Sequence, residues 1–237
     1  MTRPQPQFCF PPPPRHSLAI AGTDARFPVR AIYCVGRNYR EHAREMGAPA
    51  DGLPCFFMKP AHGLLADSSR IPYPPATDDF QHEVELVIAL GSGGRQIPPE
   101  EAMRAIFGYG IGLDLTRRDL QARLKKQGQP WELSKSFTGS AACSVLVRAN
   151  PDSPDRAPQR IRLVVNGTLR QEAQTDQMIW PIATLLSELS RYEELAAGDL
   201  LFTGTPAGVG PLVVGDRGFA EIVDVCRLDF VVVPGPA

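Results

Sequence analysis

Residues 81–90 run Gln-His-Glu-Val-Glu-Leu-Val-Ile-Ala-Leu and are followed by Gly-Ser-Gly-Gly. Aliphatic and β-branched side chains dominate and the glycines supply a turn, so the stretch predicts a β-strand closing at Leu90. Side chains alternate faces along a strand, which places Glu83 and Glu85 on one side, roughly 6.6–6.8 Å apart. His82, Val84, Leu86 and Ile88 then point the other way. Two carboxylates opening an otherwise apolar strand are costly to bury unless a cation or a basic partner neutralises them. The fold must therefore deliver positive charge to the start of this strand, or leave that end in water.

A second strand-like run, Phe-Gly-Tyr-Gly-Ile-Gly-Leu-Asp over 107–114, ends in a third acid, Asp114. Three carboxylates with no companion cysteine and no paired histidines suit a hard divalent ion, Mg²⁺ or Mn²⁺, better than Zn²⁺. A Glu-x-Glu pair by itself also describes a solvated strand face; the third acid favours a metal site on Glu83, Glu85 and Asp114. Upstream, residues 37–46 lack a helix breaker and predict a short helix, on which His42 and Glu45 are neighbours at i and i+3. A carboxylate beside an imidazole orients the ring and raises its basicity, as removal of a proton from water requires. The loop chemistry of 48–54 beside that helix is consistent with a lid.

The 25 Lys+Arg against 26 Asp+Glu give no electrostatic footprint for nucleic acid and no basic membrane anchor. A small-molecule substrate is the expectation. The five cysteines, at 9, 34, 55, 143 and 226, contain no C-x-x-C and point to reduced thiols in the cytoplasm rather than a disulfide frame. No apolar run reaches membrane-spanning length. Residues 1–27 read as a proline-rich arm with a short strand at 18–22, and 28–237 as the catalytic domain, entered by a strand over 27–35. Further strands are expected at 55–58, 218–225 and 228–233, a helix start at Pro98, and extended chain over 131–137. Thr116 with Asp119 reads as a capping box for a helix to about Gln127, carrying Arg118 and Gln121 on one face. Residues 161–171 predict a scaffold hairpin around Asn166-Gly167, and Ile182, Leu185, Leu186 and Leu189 a core-facing helix. Residues 198–210 read as a strand running into a glycine-rich loop that lacks the ending of a phosphate-binding P-loop.

Taken as a set, Cys-Val-Gly-Arg-Asn-Tyr-Arg-Glu-His (34–42), Phe-Met-Lys-Pro (57–60), His-Glu-Val-Glu-Leu (82–86), Gly-Leu-Asp-Leu-Thr-Arg-Arg-Asp (112–119), Lys-Ser-Phe (135–137) and Thr-Gly-Thr-Pro-Ala-Gly-Val-Gly (203–210) resemble the fumarylacetoacetate hydrolase family, in particular its acylpyruvase and fumarylpyruvate hydrolase branch. Each piece is weak singly; their order and spacing from about residue 30 to 230 are specific. The resemblance implies an α+β fold, a mixed β-sandwich roll with short helices and a lid helix, and a homodimer. It implies a Mg²⁺ or Mn²⁺ site on Glu83, Glu85 and Asp114, a water-activating His42 held by Glu45, and an active-site Lys135. Arg118, Gln121, Thr205 and, more loosely, Lys59 fall on positions that contact or neighbour substrate. The implied reaction is hydrolytic carbon–carbon cleavage of a 2,4-diketo acid, with fumarylpyruvate to fumarate and pyruvate, a step of gentisate-type aromatic catabolism, as the leading reading. A general acylpyruvase, or a keto-acid decarboxylase or isomerase, is the alternative on the same fold. A non-enzymatic scaffold using the proline-rich arm is the reading from another class.

Overall fold

A computed structural model of the chain describes residues 8–47, 52–66, 70–150 and 160–235. Parts of the proline-rich lead-in and of the loop over 48–54 thus lie outside the described residues. The organising element is an antiparallel pair, Val84–Leu90 against Ile106–Asp114, in register from Val84 opposite Leu113 to Leu90 opposite Ile106. These strands are buried on both faces, which is why they read as continuous apolar runs rather than alternating ones. Val84, Leu86, Ile88 and Leu90 enter one core, while Val87 and Ala89 enter a second on the opposite face.

Around this pair an eight-stranded mixed sheet forms. Asp199–Phe202 lies antiparallel to Val84–Leu90 and parallel to Ala31–Gly36, with Cys55–Lys59 at that edge. On the other side Ala141–Cys143 pairs with Ile106–Asp114 and carries Leu64–Ala66 in parallel. A five-stranded sheet built from Arg160–Val165, Thr168–Gln174, Arg217–Ile222, Cys226–Val233 and Arg70–Pro72 packs across the first core face. The helix Ile182–Tyr192 contributes Leu185, Leu186 and Leu189 to that core. This is the expected α+β roll of mixed sheets with few, short helices. Asn166 and Gly167 both hold positive φ, 50° and 75°, the left-handed pair that a two-residue hairpin turn requires.

Several local expectations need correction. The acidic strand is not continuous: Phe80–His82 belongs to a three-stranded sheet with Thr116–Arg117 and Gly210–Pro211, and the chain changes sheets at Glu83. The strand anticipated over 27–35 is two strands, Thr23–Pro28 and Ala31–Gly36, separated where Arg30 turns to donate to Asp199 at 2.7 and 2.6 Å. The short strand of the arm is half of a hairpin, Ser17–Ile20 with Thr23–Pro28, whose Leu18, Ile20 and Phe27 are buried in the second core. Residues 131–137 are not extended; Glu132–Lys135 forms one helical turn. Thr116 caps nothing. It lies in a strand and its hydroxyl donates to the Asp114 carbonyl at 3.1 Å, while the helix begins at Arg118. The Asp119 carboxylate instead accepts from the Thr77 hydroxyl at 2.5 Å and the Asp78 amide at 3.0 Å. Local pattern missed this because Thr77 and Asp78 are distant in sequence.

Candidate active site

The open end of the central strand pair carries the acids. Strand register sets Glu85 opposite Gly112, and the Asp114 amide donates to the Glu83 carbonyl at 2.8 Å, so the backbone itself fixes the three acids near one another. One oxygen from each of Glu83, Glu85 and Asp114 can be chosen so that all lie within 4.8 Å, and all three residues are buried. Cations surround the cluster. Lys135 Nζ donates to Glu83 at 2.8 Å and to Asp114 at 2.7 Å. Lys59 Nζ sits 2.8 Å from Asp114 Oδ1, and Arg118 donates to Glu83.

The electrostatics are unequal across the three acids. Burial acts to raise the Glu83 carboxyl, but the Lys135 and Arg118 charges outweigh it and hold the group well below the usual carboxylate range. Glu85 goes the other way: burial, then the neighbouring Asp114 and Glu83, push it well above that range, and its close donor is the Gly204 amide at 2.8 Å. Lys135, although buried, is raised because Asp114 and Glu83 favour its charged form. Asp114 Oδ1 has the Lys59 charge beside it but no hydrogen bond of acceptable angle. Three buried carboxylates within reach of one point, one of them short of positive charge, fit a hard divalent cation held by all-oxygen ligands.

Above the acids lies a cavity of about 390 Å³, bordered by Glu83, Lys135, Arg118, Gln121, Thr205 and His42 among others. His42 is buried on the helix Arg40–Glu45, shorter than the expected span, and its Nδ1 lies 3.2 Å from Glu45 Oε2. Both Glu45 oxygens also accept from the Gly208 amide, at 3.3 Å each. Gly208 has φ of +94°, and a Cβ there would fall 2.2 Å from the Arg170 carbonyl, so the loop over 203–210 reaches the helix only with glycine at that position. Arg118 is spread over Gln81 at 2.8 Å, Gln121 at 2.6 Å and Glu83.

Thr205 borders the cavity, but its hydroxyl proton is committed to the Val84 carbonyl at 2.9 Å. Lys59 is fully buried and does not border the cavity; it lies behind Asp114, where it donates to the Leu115 carbonyl at 3.2 Å and to the Lys135 carbonyl. The group that sequence reasoning missed is Gln171, read as scaffold. Its amide donates to Thr205 Oγ1 and the Pro206 carbonyl, both at 2.8 Å. Its oxygen accepts from the Val84 amide at 3.0 Å and faces His82 Nδ1 at 3.0 Å. It thereby ties the glycine-rich loop to the acidic strand. A polar residue facing inward on a hairpin whose Ile161, Leu163 and Ala173 are buried was the available signal.

Comparison with known proteins identifies the family of this fold. Residues 31–233 match the family described as fumarylacetoacetate (FAA) hydrolase, C-terminal. The chain is 45% identical to fumarylpyruvate hydrolase from Pseudomonas aeruginosa, whose crystal structure is in complex with Mn²⁺ and pyruvate; the superposition has a TM-score of 0.92 and covers 96% of this chain and 100% of that one. Oxaloacetate tautomerase YcgM of Escherichia coli is 41% identical over 191 residues, 81% of this chain and 87% of the relative. The mitochondrial oxaloacetate tautomerase FAHD1 of Mus musculus is 42% identical over 199 residues, 84% of this chain and 90% of the relative. The chain belongs to the fumarylacetoacetate hydrolase family of enzymes.

Proposed function

We propose that this enzyme hydrolyses a carbon–carbon bond of a 2,4-diketo acid, with fumarylpyruvate as substrate and fumarate and pyruvate as products. The observation that carries the reading is the buried His42, which borders the same cavity as Glu83 and Lys135 and is held from the solvent side by the exposed Glu45. With Nδ1 donating to Glu45, the other ring nitrogen is left as a proton acceptor. His42 takes a proton from water as the water oxygen bonds to the carbonyl carbon distal to the pyruvyl end. The bond from that carbon to C3 then breaks, its electron pair passes into the enolate of pyruvate, and the proton held by His42 returns to C3. Arg118, oriented by Gln81 and Gln121, binds the keto-acid carboxylate, and the Lys135 ammonium lies beside the developing enolate. A divalent cation on Glu83, Glu85 and Asp114, Mg²⁺ or Mn²⁺, would supply Lewis acidity toward the oxygens of the pyruvyl end. The Arg40–Glu45 helix, tethered through Glu45 to Gly208, closes the cavity from bulk water.

The second reading is oxaloacetate tautomerisation, favoured by the two relatives of that activity at 41% and 42% identity. Proton transfer between carbon and oxygen needs one acid–base group; hydrolysis needs a water activated as well, and an oriented His–Glu pair supplies that. The test is to incubate purified protein with Mg²⁺ and follow fumarylpyruvate, acetylpyruvate and the enol of oxaloacetate side by side, with products identified. Release of fumarate plus pyruvate, lowered about 10²–10⁴-fold in His42→Ala, supports hydrolysis. Interconversion of oxaloacetate tautomers with both diketo acids untouched overturns it in favour of tautomerisation.

A further inference from the structure

The cations of the cavity fall into two groups. Lys135 and Arg118 each form ion pairs with the acids below. Arg37 and Lys125 also border the cavity, yet among the described residues neither has an ion pair with a carboxylate.

Arg37 lies between the strand Ala31–Gly36 and the helix Arg40–Glu45 with φ of +61°, in the left-handed region that non-glycine residues rarely adopt. Its neighbour Asn38 pins the backbone. The Asn38 side chain accepts from the Trp180 amide at 2.8 Å and donates to the Thr203 carbonyl at 2.8 Å. A left-handed arginine held in this way at the wall of a cavity is backbone strain retained at a site. Lys125 comes from the last turn of the helix Arg118–Lys126, and its ammonium lies 5.3 Å from the centre of the Trp131 ring. The aromatic face holds the ammonium without neutralising it. Trp131 packs in turn against Phe57, tilted by 48° with ring centres 5.3 Å apart, so an aromatic wall borders the cavity beside these cations.

We propose that Arg37 and Lys125 form a second anion subsite for the far carboxylate of the substrate, with Phe57 and Trp131 covering the apolar carbons between its two ends. The substrate class is then a dicarboxylic keto acid with an unsaturated or methylene middle, rather than a monocarboxylic acylpyruvate. Burial first, and then the nearby charges of Arg118, Lys135 and Arg37, lower the Lys125 ammonium from its ordinary value. A carboxylate arriving between Arg37 and Lys125 would supply the opposite charge that neither has.

The inference deepens the proposed function, and its test does not depend on bond cleavage. The ligands are 2-oxoadipate and 2-oxohexanoate, of equal chain length and differing only in the terminal carboxylate; neither has the second ketone that hydrolysis requires. Their dissociation constants are measured by calorimetry with the full chain loaded with Mg²⁺, for wild type, Lys125→Met, Lys125→Arg and Arg37→Gln. A charge-assisted contact predicts that wild type prefers the diacid by about 10–100-fold. Lys125→Met and Arg37→Gln should each bring the ratio at least several-fold closer to one, and Lys125→Arg should retain it. Melting curves identify any variant that fails to fold, and Lys125, on an exposed helix face, leaves a usable arm if Arg37→Gln does. Equal affinity of wild type for the two acids, or equal loss of both in a folded Lys125→Met, would overturn the subsite. Failure to cleave fumarylpyruvate with the diacid preference intact would overturn the hydrolase reading alone.

Discussion

Gln171→Leu removes a side chain of similar volume to its replacement but takes away all four of its polar contacts. The Val84 amide, His82 Nδ1 and the Pro206 carbonyl lose their partner, whereas Thr205 keeps its bond to the Val84 carbonyl. Gln171 and His82 are each 1% exposed, so water has little access to replace the amide. Each orphaned buried group costs about 1–3 kcal/mol. Three of them, discounted for relaxation of the loop, give about 3–5 kcal/mol. For a chain of this size 1 kcal/mol moves the melting temperature by roughly 2–4 °C, so the expected loss is roughly 6–20 °C. The assay is thermal unfolding followed by circular dichroism, backed by urea titration. Glu172→Leu, next along the strand, is the control: it breaks only a surface pair with Arg160 at 3.6 Å, worth about 1 kcal/mol or less. If Gln171→Leu melts within 2 °C of the control, by the roughly 2–4 °C per kcal/mol scale above, the network does not hold the loop to the strand and the reasoning is wrong.

Mg²⁺ or Mn²⁺ at about 100 times its dissociation constant should add about 2.7 kcal/mol, roughly 5–11 °C, to the wild-type melt. Asp114→Asn should remove that increment, and EDTA should reverse it in wild type. Lys59→Met removes one of the two buried cations beside Asp114, Lys135 remaining, and should cost about 1.5–3 kcal/mol in the metal-free protein, read by urea titration. Partial burial alone would raise the Asp119 carboxyl, but hydrogen bonds from Thr77, Asp78 and Leu120 hold it below its ordinary value. A depressed acid contributes stability that is present above its unfolded pKa and lost as pH falls through the folded one. The stability difference between wild type and Asp119→Asn should therefore be constant above about pH 5 and shrink on acidification below the unfolded value near pH 4, as urea midpoints across that range will show. Glu45→Gln should lower turnover about 10-fold, less than the roughly 10²–10⁴-fold loss of the base itself, with Mg²⁺ binding by calorimetry unchanged.

What could be read from the sequence was whatever lies along one element. Glu83 and Glu85 were legible as a pair from strand periodicity, and they stay together although the chain changes sheets at Glu83; His42 with Glu45 meet because i and i+3 meet on any helix. The Asn166-Gly167 turn was legible for the same reason. What was not legible is set by partners far away in sequence. Trp131–Phe137 looks extended by composition, yet a single helical turn there presents Lys135 to Glu83 and Asp114. Thr116 and Asp119 have capping-box spacing, but Asp119 is taken by Thr77 and Asp78. Gln171 was hidden because its four partners come from two other segments of chain, 82–84 and 205–206. The role of Lys59 needed depth as well as position: behind Asp114, it supports a carboxylate instead of reaching the cavity.

The strand pair Val84–Leu90 and Ile106–Asp114 has one further consequence. Its three acids sit at the open end, while the chain that joins the strands, 91–105, leaves from the opposite end, beyond the register shift at Ala89 and Leu90. Hydrogen-bonded pairing between the two ends fixes the spacing of the acids whatever the connecting segment does. That segment is itself packed, through buried Ala102 and Ala105 and through bonds to Leu195 and Ser190, but at the end remote from the acids, so changes in it should register in stability before they register in the chemistry.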